Sequence, residues 1–402
     1  MTAVEHRIRV NWPPSAAETL PEDADRAVLV GRAWSPHHDG PSVVTVRNGR
    51  LVDVTASFPT VSQVTESPDP ATVLRGAYGE DLGSLGEALA NTDPEVRDPA
   101  HPWLLSPLDL HAVKAAGVTF PVSMLERLIE ERAGGEPTAA AEMRLTITEA
   151  LGGSLAELVP GSEAATRLKE RLRERGLWSQ YLEVGIGADA EIFTKAQPLS
   201  SVGTAGQAGV LSTSDWNNPE PELGVIVSSS GAIVGATLGN DVNLRDVEGR
   251  SALLLSKAKD NNAAAVIGPF LRLFDEEFTL DDVRAATVQL DVMGEDGFLL
   301  GGSSSQRESS RDPADLVGQL LGDHHQYPDG AVLLLGTLFA PVTDRGASGQ
   351  GFTHHRRDLV RIATPRLGAL VSRVEHSERC EPWTMGISDL FARLNRRGVL
   401  GG

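Results

Sequence analysis

Asn217-Asn218-Pro219-Glu220-Pro221-Glu222-Leu223-Gly224-Val225-Ile226-Val227 is the stretch on which the fold turns. If it enters a β-strand, Glu220 and Glu222 at i and i+2 project from one face, while Leu223, Val225 and Val227 take the other. Pro221 restricts pairing there to an edge or a strand start. Two carboxylates held on one side can share a hard divalent cation, which offsets their mutual repulsion. Spacing alone does not favour that reading, because a Glu-x-Glu pair is more often a solvated strand face. Past a Ser228-Ser229-Ser230-Gly231 turn and a second apolar run comes Gly239-Asn240-Asp241-Val242-Asn243-Leu244-Arg245-Asp246. Reversing the chain through that turn can bring Asp241 beside the glutamates. Three carboxylates with no His or Cys in the motif would form an oxygen-only site, suited to Mg²⁺, Mn²⁺ or Ca²⁺ rather than zinc. The competing reading, ahead on spacing alone, is an Asn-Asp turn with Arg245 and Asp246 paired locally.

On the N-terminal side, residues 26–54 hold short β-branched runs separated by His37-His38-Asp39-Gly40 and by Asn48-Gly49. Asn-Gly between alternating apolar runs is a strong hairpin signal. Residues 66–105 turn rich in Pro, Asp and Glu, and a boundary at their end divides the chain into an N-terminal β-containing domain, 1–108, and a larger catalytic domain, 109–402. Leu125, Leu128 and Ile129 recur at helical spacing within a short helix near 123–133. A second helix is predicted from a Ser162 cap to Gly176, and a third at Asp312-Pro313, where Asp caps and Pro fills the first turn. Gly301-Gly302-Ser303-Ser304-Ser305 lacks the Lys of a phosphate loop and reads as a turn.

The chain has 402 residues, with 36 Lys and Arg against 55 Asp and Glu, a formal net charge of −19. That sign disfavours nucleic acid and anionic membrane surfaces as partners. Cys380 is the sole cysteine, so neither an intrachain disulfide nor a cysteine metal cluster can form, and a reducing cytoplasmic setting fits. The first residues lack the apolar stretch of a signal peptide, and no run approaches about 18 apolar residues. The expectation is a soluble cytoplasmic protein.

The order Phe193-x-Lys195, Glu220-x-Glu222-Leu223, Asn240-Asp241-Val242-x-x-Arg245-Asp246, Lys259, Gly268-Pro269 and Gly336-Thr337 resembles the fumarylacetoacetate hydrolase family over roughly residues 110–370. Longer stretches, among them GLWSQYLEV, WNNPEPE, LGNDVNLRD, EGRSALLLSKAKDNN and GQGFTHH, resemble its 2-keto-3-deoxy-D-xylonate (2-keto-3-deoxy-pentonate) dehydratase branch. The resemblance implies an α+β, β-rich fold, a mixed β-sandwich roll with a smaller N-terminal domain, assembled as a homodimer or homotetramer. It implies Glu220, Glu222 and Asp241 as ligands of Mg²⁺, with Mn²⁺ or Ca²⁺ as substitutes. The implied reaction is loss of water from a small anionic 2-keto-3-deoxy sugar acid to give 2-oxoglutarate semialdehyde. Hydrolysis or decarboxylation of a β-diketo or oxaloacetate-like acid is the alternative.

One departure bears on reaction type. Family hydrolases carry Gly-x-Asn-Tyr-x-x-His-x-x-Glu, whereas this chain reads Gly117-Val118-Thr119-Phe120-Pro121-Val122-Ser123-Met124-Leu125-Glu126. Ser123 replaces the His of a water-activating dyad, which shifts the expectation from carbon–carbon hydrolysis toward proton transfer by a lone carboxylate. Glu126, on a helix that could close as a lid, and Lys259, at the family's lysine position, are the expected catalytic pair. Lys195, Arg245, Thr337 and Ser123 are assigned to substrate binding, with support of the carboxylates as the other role for Lys195 and Arg245. His324-His325 and His354-His355 invite a metal reading, yet neighbouring strand residues face opposite ways and the three carboxylates already complete the implied site.

Overall fold

The computed structural model describes residues 8–120, 124, 158–339, 341, 343–345 and 351–400. In chain order the strands of the first 108 residues are β1 (Leu29–Ser35), β2 (Gly40–Arg47), β3 (Arg50–Asp53), β4 (Glu80–Ser84) and β5 (Trp103–Leu104). Then come β6 (Ala112–Gly117), β7 (Glu191–Ala196), β8 (Gln207–Val210), β9 (Asn217–Asn218), β10 (Pro221–Val227), β11 (Ile233–Asp241), β12 (Asn243–Leu244) and β13 (Ala265–Leu273). The last are β14 (Thr287–Met293), β15 (Leu299–Ser305), β16 (Ala331–Leu334), β17 (Leu359–Thr364) and β18 (Gly368–His376).

Three sheets result. The largest runs β4-β3-β2-β1-β13-β11-β10-β16-β6-β7, with β5 added to β1. The second runs β15-β14-β17-β18-β8, and β9 pairs with β12 in a two-stranded ribbon. Pairing is antiparallel except at β16–β6 and β8–β18, so both large sheets are mixed. Strands β1 and β13 are neighbours, and the sheet therefore runs without interruption across the position 108/109.

The second sheet lies over the middle of the first. Leu223, Val225 and Val227 of β10 and Leu238 of β11 meet Val288, Leu290 and Val292 of β14, and Ile362, Leu370 and Val374 beyond them, in one buried core. Ile226, on the other face of β10, joins Leu271, Val332 and Leu334 beneath the helices Val61–Thr65 and Pro70–Gly76. Both faces of β10 are thus covered, which is why all seven of its residues are buried. Each large aliphatic side chain removed from water in this way contributes about 1.5–3 kcal/mol.

Local signals in the sequence form as expected. Asn48 and Gly49, with φ of 52° and 71°, make the two-residue turn between β2 and β3. Ser162 accepts a hydrogen bond from Ala165 N at the start of the helix Glu163–Glu174, which ends at Gly176 with φ of 67°. Asp312 caps Pro313–Leu320. Gly301–Ser305 is different: the expected turn is the body of edge strand β15, paired with β14 from Thr287↔Ser305 to Met293↔Leu299. A Cβ on Gly302 would lie 2.7 Å from the Phe339 ring, and one on Gly301 3.0 Å from Ile8. The small residues there admit close neighbours onto a strand rather than bending the chain.

The N-terminal segment is clamped to β13 by charge. Arg272 is 1% exposed, and its Nη1 and Nη2 donate to the Asp23 carboxylate at 2.6 and 2.7 Å, with Arg366 O accepting at 2.8 Å. The guanidinium holds the Asp23 carboxyl below its ordinary range. Asp23→Ala is expected to cost about 3 kcal/mol by urea denaturation, the lower end for breaking a buried pair, because the Arg366 carbonyl still takes one of the protons. A loss below about 1 kcal/mol would mark the pair as an ordinary surface bridge.

Candidate active site

Strand alternation and one antiparallel register assemble the centre. Glu220 stands immediately before β10, Glu222 is its second residue, and Asp241 ends β11. The register Pro221↔Asn240 and Glu222↔Gly239 sets the two strand ends level, and Asp241 N donates to Glu220 O at 3.0 Å. The three carboxylates are 2%, 1% and 1% exposed, and one oxygen from each lies within 4.8 Å of the others. The solvated strand face and the local Arg245–Asp246 turn are therefore both set aside. Asp246 instead accepts from Ser214 Oγ at 2.7 Å.

Two lysines face this charge. Lys259 closes the helix Leu255–Lys259, and its Nζ donates to Glu220 Oε2 and, at 3.0 Å, to Asp241 Oδ2. Its ammonium also sits 5.6 Å from the Phe193 ring centroid. Lys257, two residues earlier on the helix, points to solvent. Lys195 of β7 lies 2.8 Å from Asp241 Oδ1, and its other protons go to Val242 O at 3.0 Å and to Lys259 O. Burial lowers its affinity for a proton, and Asp241 opposes that.

Thr337 bridges the glutamates, its Oγ1 being 3.0 Å from Glu220 Oε2 and 3.1 Å from Glu222 Oε1. One hydroxyl carries one proton, so it donates to only one of them at a time. Gly336 N donates to Glu222 Oε2 at 2.9 Å. Position 336 requires glycine twice over: φ is +102°, and a Cβ would fall 1.9 Å from Thr119 Oγ1. Burial, followed by Asp241 and Glu220, pushes the Glu222 carboxyl well above its ordinary range, against Lys259 and the Gly336 N–H.

Among the described residues three buried carboxylates stand against two ammoniums, which leaves negative charge in a desolvated place, and the atoms the three acidic residues offer are all oxygen. That is the environment a hard divalent cation fits, and Glu220, Glu222 and Asp241 would hold it. Among the described residues no other His, Cys, Asp or Glu cluster could hold a metal. The histidine pairs lie apart from it. His354 is buried 3.2 Å from Asp358, His355 is exposed beside Asp296, and His324 and His325 are exposed.

Arg245 begins the turn after β12, buried, with its guanidinium 5.2 Å from the Trp216 ring and Nη1 on Pro341 O at 3.4 Å. Ser123, Glu126 and the helix expected near 123–133 lie outside the described residues, except Met124, which packs on Leu168, Leu172, Leu182 and Ile186. Sequence reading missed Asn240, whose Oδ1 accepts from Glu220 N at 2.9 Å and fixes the backbone of the first ligand. Its position beside Asp241 was the available signal.

Fold and site define a mixed two-sheet enzyme-like scaffold around a buried carboxylate centre, the architecture of the fumarylacetoacetate hydrolase fold. A fumarylacetoacetate hydrolase from Exiguobacterium antarcticum superposes with a TM-score of 0.51 at 15% identity, covering 87% of this chain and 100% of that one. Solved 2-keto-3-deoxy-D-arabinonate dehydratase structures fit better, with a TM-score of 0.59 over 87% of this chain and 99% of theirs. Their identities are 20% for an apo form and 18% for a complex with magnesium and 2,5-dioxopentanoate. No family model matches the chain. In sequence it is 31% identical over 185 residues to the 2-dehydro-3-deoxy-D-arabinonate dehydratase of Saccharolobus solfataricus, a match covering 46% of this chain and 58% of that protein. It is 28% identical over 221 residues to a probable 2-keto-3-deoxyxylonate dehydratase of Haloferax volcanii, covering 54% and 72%. The resemblance drawn from the motifs, to this family and to its keto-deoxy acid dehydratases, is borne out.

Proposed function

We propose that the protein is a hydro-lyase that removes water from 2-keto-3-deoxy-D-xylonate, or the corresponding arabinonate, to give 2-oxoglutarate semialdehyde, that is 2,5-dioxopentanoate. The observation that carries this reading is the buried Glu220–Glu222–Asp241 centre with the Lys259 ammonium set across two of its carboxylates. The names of the two curated relatives and the magnesium complex of a similarly folded dehydratase support it.

Mg²⁺ held by the three carboxylates would supply Lewis-acid stabilisation of the charge that develops on the 2-keto oxygen when carbon 3 loses its proton. Mn²⁺ or Ca²⁺ would satisfy the same donor set. Glu126 takes the carbon-3 proton, and Lys259, holding a proton at Nζ, orients the substrate carboxylate or delivers that proton to the departing carbon-4 hydroxyl. The resulting enone, with its double bond between carbons 3 and 4, loses a proton from carbon 5 and gains one at carbon 3 to give an enol across carbons 4 and 5, which gains a proton at carbon 4 and loses one from its oxygen to become the aldehyde. Thr337 Oγ1 offers its one proton to whichever partner carries negative charge. Lys195 holds Asp241 and the main chain of Lys259 in place, and Arg245 contributes positive charge for the incoming anion.

As parts of the same reading, the enzyme works in the cytoplasm in non-phosphorylative pentose breakdown, as a homodimer or homotetramer. Among the described residues no helix is long and apolar enough to cross a membrane. The test incubates purified protein and Mg²⁺ with 2-keto-3-deoxy-D-xylonate and follows semialdehyde through an NAD(P)-linked dehydrogenase. Semialdehyde formation that stops on chelation is the expected result. Pyruvate or oxalate released from a β-diketo or oxaloacetate-like acid, with no semialdehyde, would overturn the dehydratase reading in favour of a hydrolase or decarboxylase.

A further inference from the structure

The short strands β9 and β12 continue the hairpin of β10 and β11 in register. Counting outward from Pro221↔Asn240, past the hydrogen bond from Asp241 N to Glu220 O, reaches Asn218↔Asn243 with no residue gained or lost. Strand alternation therefore puts Asn218 on the face of Glu220 and Glu222, and Asn243 on the face of Asp241. Their neighbours agree. Val242 and Leu244 enter the apolar core with Leu223 and Val225 on the opposite face, while Trp216 and Arg245, one step further out, meet each other at 5.2 Å. One face of the ladder thus carries, in order, the carboxylates, a pair of amides and an indole beside a guanidinium.

Both amides are held with their oxygens unused. Asn218 Nδ2 donates to Pro219 O at 3.0 Å, and Asn243 Nδ2 to Glu248 Oε2 at 2.6 Å. Turning either amide over would set oxygen against oxygen, so which atom is N and which is O follows from these bonds. Among the described residues neither Oδ1 accepts a hydrogen bond, although both asparagines are 0% exposed. A buried carbonyl without a donor raises the free energy of the fold by about 1–3 kcal/mol. Here two such oxygens belong to residues directly opposite each other, one step along the ladder from the carboxylate centre.

We propose that Asn218 and Asn243 recognise the hydroxyl-bearing end of the substrate: with the keto-acid end at the carboxylate centre, the hydroxyls on carbons 4 and 5 each donate one proton to one of the two Oδ1 atoms. This assignment rests on the keto-deoxy acid reading above. Two strand residues advance about 6.6 Å, the reach of carbons 3 to 5 and their oxygens beyond a keto group. An amide oxygen only accepts. A far end that offers lone pairs instead, such as the second carboxylate of an oxaloacetate-like acid, meets repulsion there, so the pair selects against it. The aldehyde product has lost both O–H groups and with them both contacts.

Three keto acids test this by isothermal titration of the Mg²⁺-loaded full chain: 5-hydroxy-2-oxopentanoate, 2-oxopentanoate and 2-oxoglutarate. None has a carbon-4 hydroxyl to lose, so binding is measured without turnover. The hydroxy acid should bind roughly fivefold or more tighter than 2-oxopentanoate, and 2-oxoglutarate should bind no tighter than 2-oxopentanoate. Asn218→Leu and Asn243→Leu should keep the Mg²⁺-dependent melting shift, and in at least one of them the preference for the hydroxy acid should fall toward parity. The comparison of ligands on wild type stands even if neither variant folds. Equal affinity of wild type for the hydroxy acid and 2-oxopentanoate, or a preference unchanged in both variants, would overturn the proposal. So would tightest binding of 2-oxoglutarate, which would give this end of the site to Arg245 and an anion. Semialdehyde formation alongside equal affinities would remove the amides from recognition and leave the dehydratase reading standing, whereas the hydroxy-acid preference without semialdehyde would do the reverse.

Discussion

Glu222→Gln should abolish turnover of 2-keto-3-deoxy-D-xylonate and the stabilisation by Mg²⁺, while leaving the metal-free protein at least as stable as wild type. The amide has the shape of the carboxyl and can reproduce its hydrogen bonds: its oxygen accepts from Gly336 N, and its NH₂ donates to Thr337 Oγ1, which then donates to Glu220. What changes is charge. Wild-type Glu222 is buried beside two other carboxylates that push its carboxyl above the ordinary range, so removing that charge relieves repulsion when no cation is present. With the cation the balance reverses. Mg²⁺ at a hundred times its dissociation constant should add about 2.7 kcal/mol to wild-type stability, and this increment should vanish in the variant. The loss of activity should exceed the roughly 10–100-fold typical of removing a group that merely supports a ligand. Thermal melts with and without Mg²⁺, alongside the semialdehyde assay, check both parts. A variant that kept its Mg²⁺-dependent melting shift would remove Glu222 from the ligand set.

Lys259→Met should separate charge balance from chemistry. Without Mg²⁺ the substitution leaves Lys195 as the remaining ammonium on the three buried carboxylates among the described residues, and breaking a buried charge network of this kind costs about 3–5 kcal/mol. A bound divalent cation should recover much of that loss. Turnover should not recover with it: if Lys259 orients the substrate or carries a proton, a deficit of roughly 10²–10⁴-fold persists at saturating Mg²⁺. Restoration of turnover to near the wild-type rate by Mg²⁺ alone would reduce Lys259 to a counter-charge.

The carboxylate centre was legible in the sequence because it is built from short-range rules. Alternation puts Glu220 and Glu222 on one face, and a single hairpin returns Asp241 to them. Neither rule distinguishes a cage from a wet strand face. The resemblance made that choice, and the burial of all three groups now supports it independently. The burial of Lys259 and the exposure of Lys257 follow from helix geometry, which a sequence with an uncertain helix boundary does not fix. Gly301–Ser305 was misread because glycine and serine signal turns by their own backbone preferences, whereas here Phe339 and Ile8 require small residues on a strand. The partnership of β1 with β13 joins residues about 240 positions apart, Leu29 with Arg272, and no local pattern encodes a pairing at that distance.

The seam between β1 and β13 also bears on how the molecule can be cut. A fragment starting at residue 109 would present β13 as an open edge, with its row of unpaired N–H and C=O groups, and would leave Arg272 without the Asp23 carboxylate. Exposed edges of that kind recruit strands from other molecules. Trimming the chain to what looks like its catalytic part would therefore trade an internal strand for a template for aggregation. Fusions or insertions are better placed in the Asn48-Gly49 turn, where a Cβ added to the glycine would meet nothing within 4 Å.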